Sequence, residues 1–199
     1  MKNRILFAFF AFFVLLQVQA QAIFRPGVKG GVNFSHFTQT DNSNEKFSAK
    51  QDFYVGIFGA LRATKVYTLQ PELTYTRQGA KREYIDGFDG LKKNETLDVS
   101  YLSLAVANKF VFNKVNFQLG TTFDVKINDA KKYIGESNYR DNSFSSIDLG
   151  FFAGIGFDIT KNFGIEGRVK KGIIPVSDWD DSYTNVVFQV GAAYTFDLK

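Results

Sequence analysis

Glu72, Asp124, Asp148 and Glu166 are carboxylates, and Lys29, Arg62, Lys109 and Arg168 are cations, all set in stretches of otherwise small or uncharged polar residues. Carboxylates confined together serve two kinds of chemistry. They divide the roles of general acid and base when their surroundings push their proton affinities apart, or they neutralise buried cations and lock a structure. His36 adds the chain's one imidazole, with Ser35 beside it. A nucleophile and its base must lie within hydrogen-bond reach, but neighbours in a strand point to opposite faces. With no Cys and no second His, a zinc-type ligand set lacks donors. The run Asp178-Trp-Asp-Asp181 reads as a solvated loop with at most a weak cation preference. Gly30-Gly31 and Gly154-x-Gly156 precede no helix, so they are strand glycines and not phosphate loops.

The elements that carry these residues alternate with period two, the mark of strands. In TLQPELTYTRQGAK (68–81), Leu69, Pro71, Leu73 and Tyr75 take one face, and Gln70, Glu72, Thr74 and Thr76 the other. The same pattern recurs over 27–37, 52–63, 96–112, 115–127, 147–157, 163–170 and 185–196, which makes eight strands. Lys29, Arg62, Glu72, Lys109, Asp124, Lys126, Asp148, Glu166, Arg168 and Lys170 all fall on the polar parity of their strands. Leu97 and Val99 are out of step with the rest of the fourth strand, so a β-bulge is expected near Tyr101; another is expected at Pro71.

Short turns at Thr64-Lys65, Asn113-Lys114 and 160–162 alternate with long polar stretches near 38–51, 79–95, 128–145 and 172–184. Short turns at one end and long loops at the other are the layout of an outer-membrane barrel. The apolar face is bulky and nearly uncharged, as a lipid-facing band requires. The other face is rich in Gly, Ser, Thr, Asn and Gln, which suits the narrow interior of an eight-stranded barrel. Tyr67, Tyr75, Phe110, Phe112, Tyr183, Tyr194 and Phe196 are candidates for interfacial girdles. A periplasmic lipocalin-like binder of small ligands is the soluble alternative, with the apolar face turned inward. A lipid-modifying barrel enzyme centred on His36 is the catalytic one.

Residues 1–22 join a basic start, an apolar run of about a dozen residues and an Ala20-Gln21-Ala22 end, the form of a cleaved export signal. Residues 23–199 are then one barrel domain. Without Lys2 and Arg4, the 24 basic residues become 22 against 20 acidic ones, scattered and not clustered, so a nucleic-acid partner is not expected. Outer-membrane lipid is the expected surrounding, with a protein partner reached through the external loops. The interior charges Lys29, Arg62, Glu72, Lys109, Asp124, Asp148, Glu166 and Arg168 are expected to pair across the lumen and plug it. No cofactor, metal or catalytic role is assigned to them.

Three stretches, GVKGGVNFS (27–35), LQPELTYTRQGAK (69–81) and Tyr101-Leu-Ser-Leu104 leading to Lys109-Phe110, resemble the PorT-like outer-membrane β-barrel family of Bacteroidetes. The chain departs from that family at Ser103 and Ala105, where an acidic residue and a proline often stand. The resemblance implies an all-β, eight-stranded antiparallel up-and-down transmembrane β-barrel of OmpA/OmpX-like architecture, with no shared catalytic activity. A structural, adhesive or accessory role through the external loops is the expectation from the residues themselves; a part in protein secretion is known for some relatives only.

Overall fold

The computed structural model describes residues 23–38, 45–85, 90–133, 144–176 and 183–197. The expected signal (1–22) and the run Asp178–Asp181 lie outside the described residues. Eight strands follow in order: β1 (Ile23–Phe37), β2 (Glu45–Arg62), β3 (Tyr67–Ile85), β4 (Lys92–Phe112), β5 (Val115–Tyr133), β6 (Ile147–Asp158), β7 (Phe163–Gly172) and β8 (Asn185–Thr195). Each pairs antiparallel with the next, and β1 pairs with β8 to close the ring. Closure leaves no open edge, which hydrocarbon would not tolerate.

Alternation sorts the two faces. Ile57, Leu104, Leu119, Phe151 and Ile155 stand at least half exposed on the outside, while Lys29, Glu72, Asp124, Glu166 and Arg168 are buried inside. Apolar outside and charged inside is the inverse of a lipocalin-like calyx, so the soluble small-ligand binder is set aside. At the short-turn end Tyr67 packs on Phe110 at 5.5 Å between ring centroids, and Tyr194 on Phe196 at 5.3 Å. Asn113 supplies the left-handed residue of its two-residue hairpin, with φ of 58°. Thr64 and Thr160 each accept two backbone N–H bonds and so tighten the other two turns.

The strands outrun the sequence expectation at the loop end. Parts of 38–51, 79–95 and 128–145, expected as loop, continue β2, β3, β4 and β5, which are 18, 19, 21 and 19 residues long. A membrane-crossing strand needs only about 9–11. The surplus is polar on its outer face, so it carries no apolar alternation to announce it. Inside this extension Phe37, Ala80, Leu97, Val99, Tyr101, Phe144 and Val176 form an apolar cluster, with Phe47 and Tyr183 packed against it. Tyr183 therefore belongs to this cluster and not to a lipid-facing girdle.

Two register shifts mark where membrane span meets extension. The β4–β5 shift lies between Ser100 and Tyr101, where the expectation placed it, but the extra residue is Ile127 on β5. Leu97 and Val99 look out of step because they stay on the inner face and pack in the cluster above. The second shift separates Ala49 from Tyr54 on β2. Asn33 serves it, donating from Nδ2 to the carbonyls of Phe53 (3.3 Å) and Arg77 (2.8 Å). No bulge forms at Pro71, which stays in register with Val106; the β2–β3 pairing is merely interrupted opposite it.

Candidate functional site

The middle of the lumen is built from inward positions of β1, β3, β5 and β7. Glu72 on β3 accepts both arms of the Arg168 guanidinium, Nη1 to Oε2 at 2.7 Å and Nη2 to Oε1 at 2.6 Å. Lys29 donates to Glu72 Oε2 at 3.1 Å and also pairs with Glu166. Arg168 Nη2 lies 3.4 Å from Glu166 Oε2. Amides complete the set: Gln70 donates to Glu72 Oε1 at 2.8 Å, and Gln118 accepts from Arg168 Nε at 2.8 Å. Two carboxylates and two cations thus cancel, which is the condition for keeping charge out of water. Room for the guanidinium comes from Gly154, where an added Cβ would sit 2.7 Å from Arg168 Cγ. The Phe152 ring lies under it at 4.7 Å, a cation–π contact inside the barrel.

A second group sits nearer the loop end. Lys170 pairs with Asp124, and Ser103 Oγ donates to Asp124 Oδ1 at 2.5 Å. Asp148 faces Asp124 directly across β5 and β6, and neither of its oxygens has a side-chain hydrogen-bond partner among the described residues. Higher still, Lys50, Asp52, Asp98 and Arg77 gather at the β2 register shift: Lys50 reaches Asp52 at 2.5 Å and also pairs with Asp98, and Arg77 lies 3.5 Å from Asp52. Asp52 lies on the polar parity of β2, but Lys50 falls in a stretch expected as loop and Arg77 on the apolar parity of β3, so spacing does not mark the four as one group.

The remaining two expected members lie apart. Arg62 is exposed at the short-turn end and donates to the carbonyls of Thr64 (3.3 Å) and Lys65 (3.0 Å), so it caps its own turn and does not join the central network. Among the described residues, the ion-pair partner of Lys109 is Asp158, at 4.0 Å. Gln70 and Gln118 were legible as polar-face residues, yet nothing in their spacing marks them as partners of the charges. The charge pairs themselves join strands that sequence spacing cannot bring together.

Packed this way, the lumen keeps a cavity of about 20 Å³ beside the network, room for about one water. The apolar cluster stands above it, nearer the loop end. Ser35 is buried inside while His36 lies on the opposite, partly exposed face, so the two make no nucleophile–base pair.

Eight antiparallel strands closed around an ion-paired lumen, with an apolar outer band, define an outer-membrane β-barrel. The chain belongs to the outer membrane protein beta-barrel domain family, whose match spans residues 17–178. Among solved structures it is similar to Neisserial surface protein A, with a TM-score of 0.56 and 16% identity over 86% of this chain and 97% of that one. It is also similar to Ail, the attachment invasion locus protein of Yersinia pestis, solved in complex with the heparin analogue sucrose octasulfate. There the TM-score is 0.50 and the identity 15%, over 87% of this chain and 99% of that one. At such identities the likeness is one of fold. No curated protein matches the chain. In barrels of this class the short turns face the periplasm and the long loops the exterior.

Proposed function

We propose that this barrel is sealed and non-catalytic, and that it works by contact at the cell surface through the extension that β2–β5 build beyond the membrane. The observation that carries this reading is the extension itself. The β3–β4 ladder runs on to Ile85 and Lys92, ten residues beyond Tyr75 and Leu102 in each strand, where the outward apolar series ends. Strand so long, with its own apolar core, is a rigid platform in place of loose loops, and rigid elements make better recognition surfaces than loops. Its exposed Lys46, Lys81 and Lys92 favour an anionic partner. The Ail complex with a sulfated heparin analogue is a parallel in kind. Membership of the PorT-like branch and removal of residues 1–22 as an export signal belong to the same proposal.

Retention of the purified barrel on heparin–agarose tests the reading. Wild type is expected to be held and to elute with salt, and the K46E/K81E/K92E variant to pass through. A wild type that flows through, or a variant held equally well, would overturn the adhesive role.

A further inference from the structure

The periplasmic end of the lumen is not flush with the turns. A cavity of about 380 Å³ opens there, roofed by Gln70, Gln118 and Glu166 of the central network and walled by the strand ends at Arg62 and Thr68 and by the turns that join β4–β5 and β6–β7. Because the lumen above is filled, a solute that enters has no way through. The cavity is a blind pocket, of the size that holds small ligands.

Its charges are unbalanced. Arg25, Arg62, Lys109, Lys114 and Lys161 line it, and the carboxylates at its mouth are Asp158 on the wall and Asp197 beside Arg25 and Lys161. Asp197 is occupied, 2.7 Å from Arg25 and 3.3 Å from Lys161. Lys109 is different. Its side chain is only 17% exposed, and its nearest acid, Asp158, is 4.0 Å away, beyond hydrogen-bond reach. Arg25 also keeps a buried Nε with no partner among the described residues. The inner wall is amide and hydroxyl: Thr68, Gln70, Asn116 and Gln118. A surplus of positive charge in a walled recess attracts anions more strongly than the same charge on an open surface.

We propose that this vestibule is a binding site for a small hydroxylated anion, a carboxylated or phosphorylated sugar of about monosaccharide size, held by Lys109 at its acidic group and by the amide wall at its hydroxyls. The site faces the periplasm and is separate from the outer platform. Glu166 forms part of the roof, where Glu72 and Glu166 balance Lys29 and Arg168, so the roof as a whole is neutral and leaves the surplus charge of the vestibule in place.

The full-length barrel in nanodiscs, titrated by calorimetry, tests this with three probes: N-acetylmuramic acid, glucose 6-phosphate and neutral N-acetylglucosamine. At least one of the two anions is expected to bind, more weakly as salt is raised, with the neutral sugar silent; which anion binds names the acidic group. Lys109→Met is expected to weaken binding by about tenfold or more, the worth of one charged hydrogen bond. Lys109→Arg is expected to keep most of it, and Lys171→Met, at the exposed loop end of β7 on the far side of the membrane, to keep all of it. Each variant is first checked for the unboiled gel shift of a folded barrel. No binding of either anion, equal binding of the neutral sugar, or a folded Lys109→Met variant with wild-type affinity would each overturn the proposal.

Discussion

Arg168 on β7 and Glu72 on β3 are joined by two parallel hydrogen bonds of 2.7 and 2.6 Å, although their strands stand four places apart in a ring of eight. The pair therefore crosses the whole lumen. A guanidinium fork matches a carboxylate in this bidentate way, and an ammonium cannot. Lys29 brings β1 to the same carboxylate, and Gln118 brings β5 to the same guanidinium. Four strands are tied through one central contact, so the barrel is braced across as well as around.

Breaking the strut on one side should cost far more than breaking a surface pair. Glu72→Gln keeps the shape but leaves Arg168 and Lys29 with only Glu166, and the expected destabilisation is about 3–5 kcal/mol. The Glu72→Leu/Arg168→Leu double variant, which buries no orphan charge, is expected to lose less than Glu72→Gln. Asp197→Asn, which removes an exposed partner of Arg25, should leave the unfolding midpoint nearly unchanged. Urea unfolding in lipid vesicles reads all three.

Conduction is expected to need two openings. The ion-paired layer and the apolar cluster around Leu97, Val99 and Tyr101 stand in series along the lumen. Wild type should pass no measurable current in a planar bilayer. Glu72→Ala/Arg168→Ala alone should stay closed, because the apolar layer still excludes water and ions. Adding Leu97→Ala and Tyr101→Ala to that pair should produce steady current. Current from the first double variant would show that the apolar layer is no barrier.

The membrane span was legible because lipid and lumen impose opposite demands on alternate residues, and Val115 to Ile127 records them almost without fault. The extension was not, since water on its outside and a small core on its inside leave only Leu97, Val99 and Tyr101 as a trace. That trace marked the register shift that is there, but not the core behind it. The charge partners resisted sequence reading for a geometric reason. Parity places Arg168 and Glu72 in the lumen, but only the closed ring, with its particular stagger, brings 72 and 168 to one height. Arg62 shows the limit of parity: at the strand end, free carbonyls of its own turn compete for the guanidinium, and they win.

Gly79 is the point where the extension should be most sensitive. Its φ is 141°, a conformation open to glycine and strained for other residues, and an added Cβ would meet the Leu97 carbonyl oxygen at 1.9 Å. Nothing flexible stands there to give way. Gly79→Ala is expected to cost about 1–3 kcal/mol in backbone strain alone. Its effect should be confined to the outer part of the β3–β4 ladder. Amide exchange in nanodiscs should therefore accelerate at Lys81, Glu83 and Thr96 while Leu73 and Leu104 stay protected. Uniform loss of protection would mean that the extension and the span unfold as one unit.

A depth series on β4 checks the lipid-facing assignment itself. Leu104 is half exposed on the outer face near the middle of the apolar series, and Phe112 is exposed at its periplasmic end beside the turn. Arginine in place of a lipid-facing residue costs about 2–4 kcal/mol at the bilayer midplane and about 0–1 near the interface. Leu104→Arg should therefore lower stability in vesicles several-fold more than Phe112→Arg, although Phe112 is the larger side chain to lose. In detergent micelles, where water reaches the belt more easily, the difference should shrink. Equal losses at the two positions would mean that this face does not lie in a membrane at the depth its hydrophobic series implies.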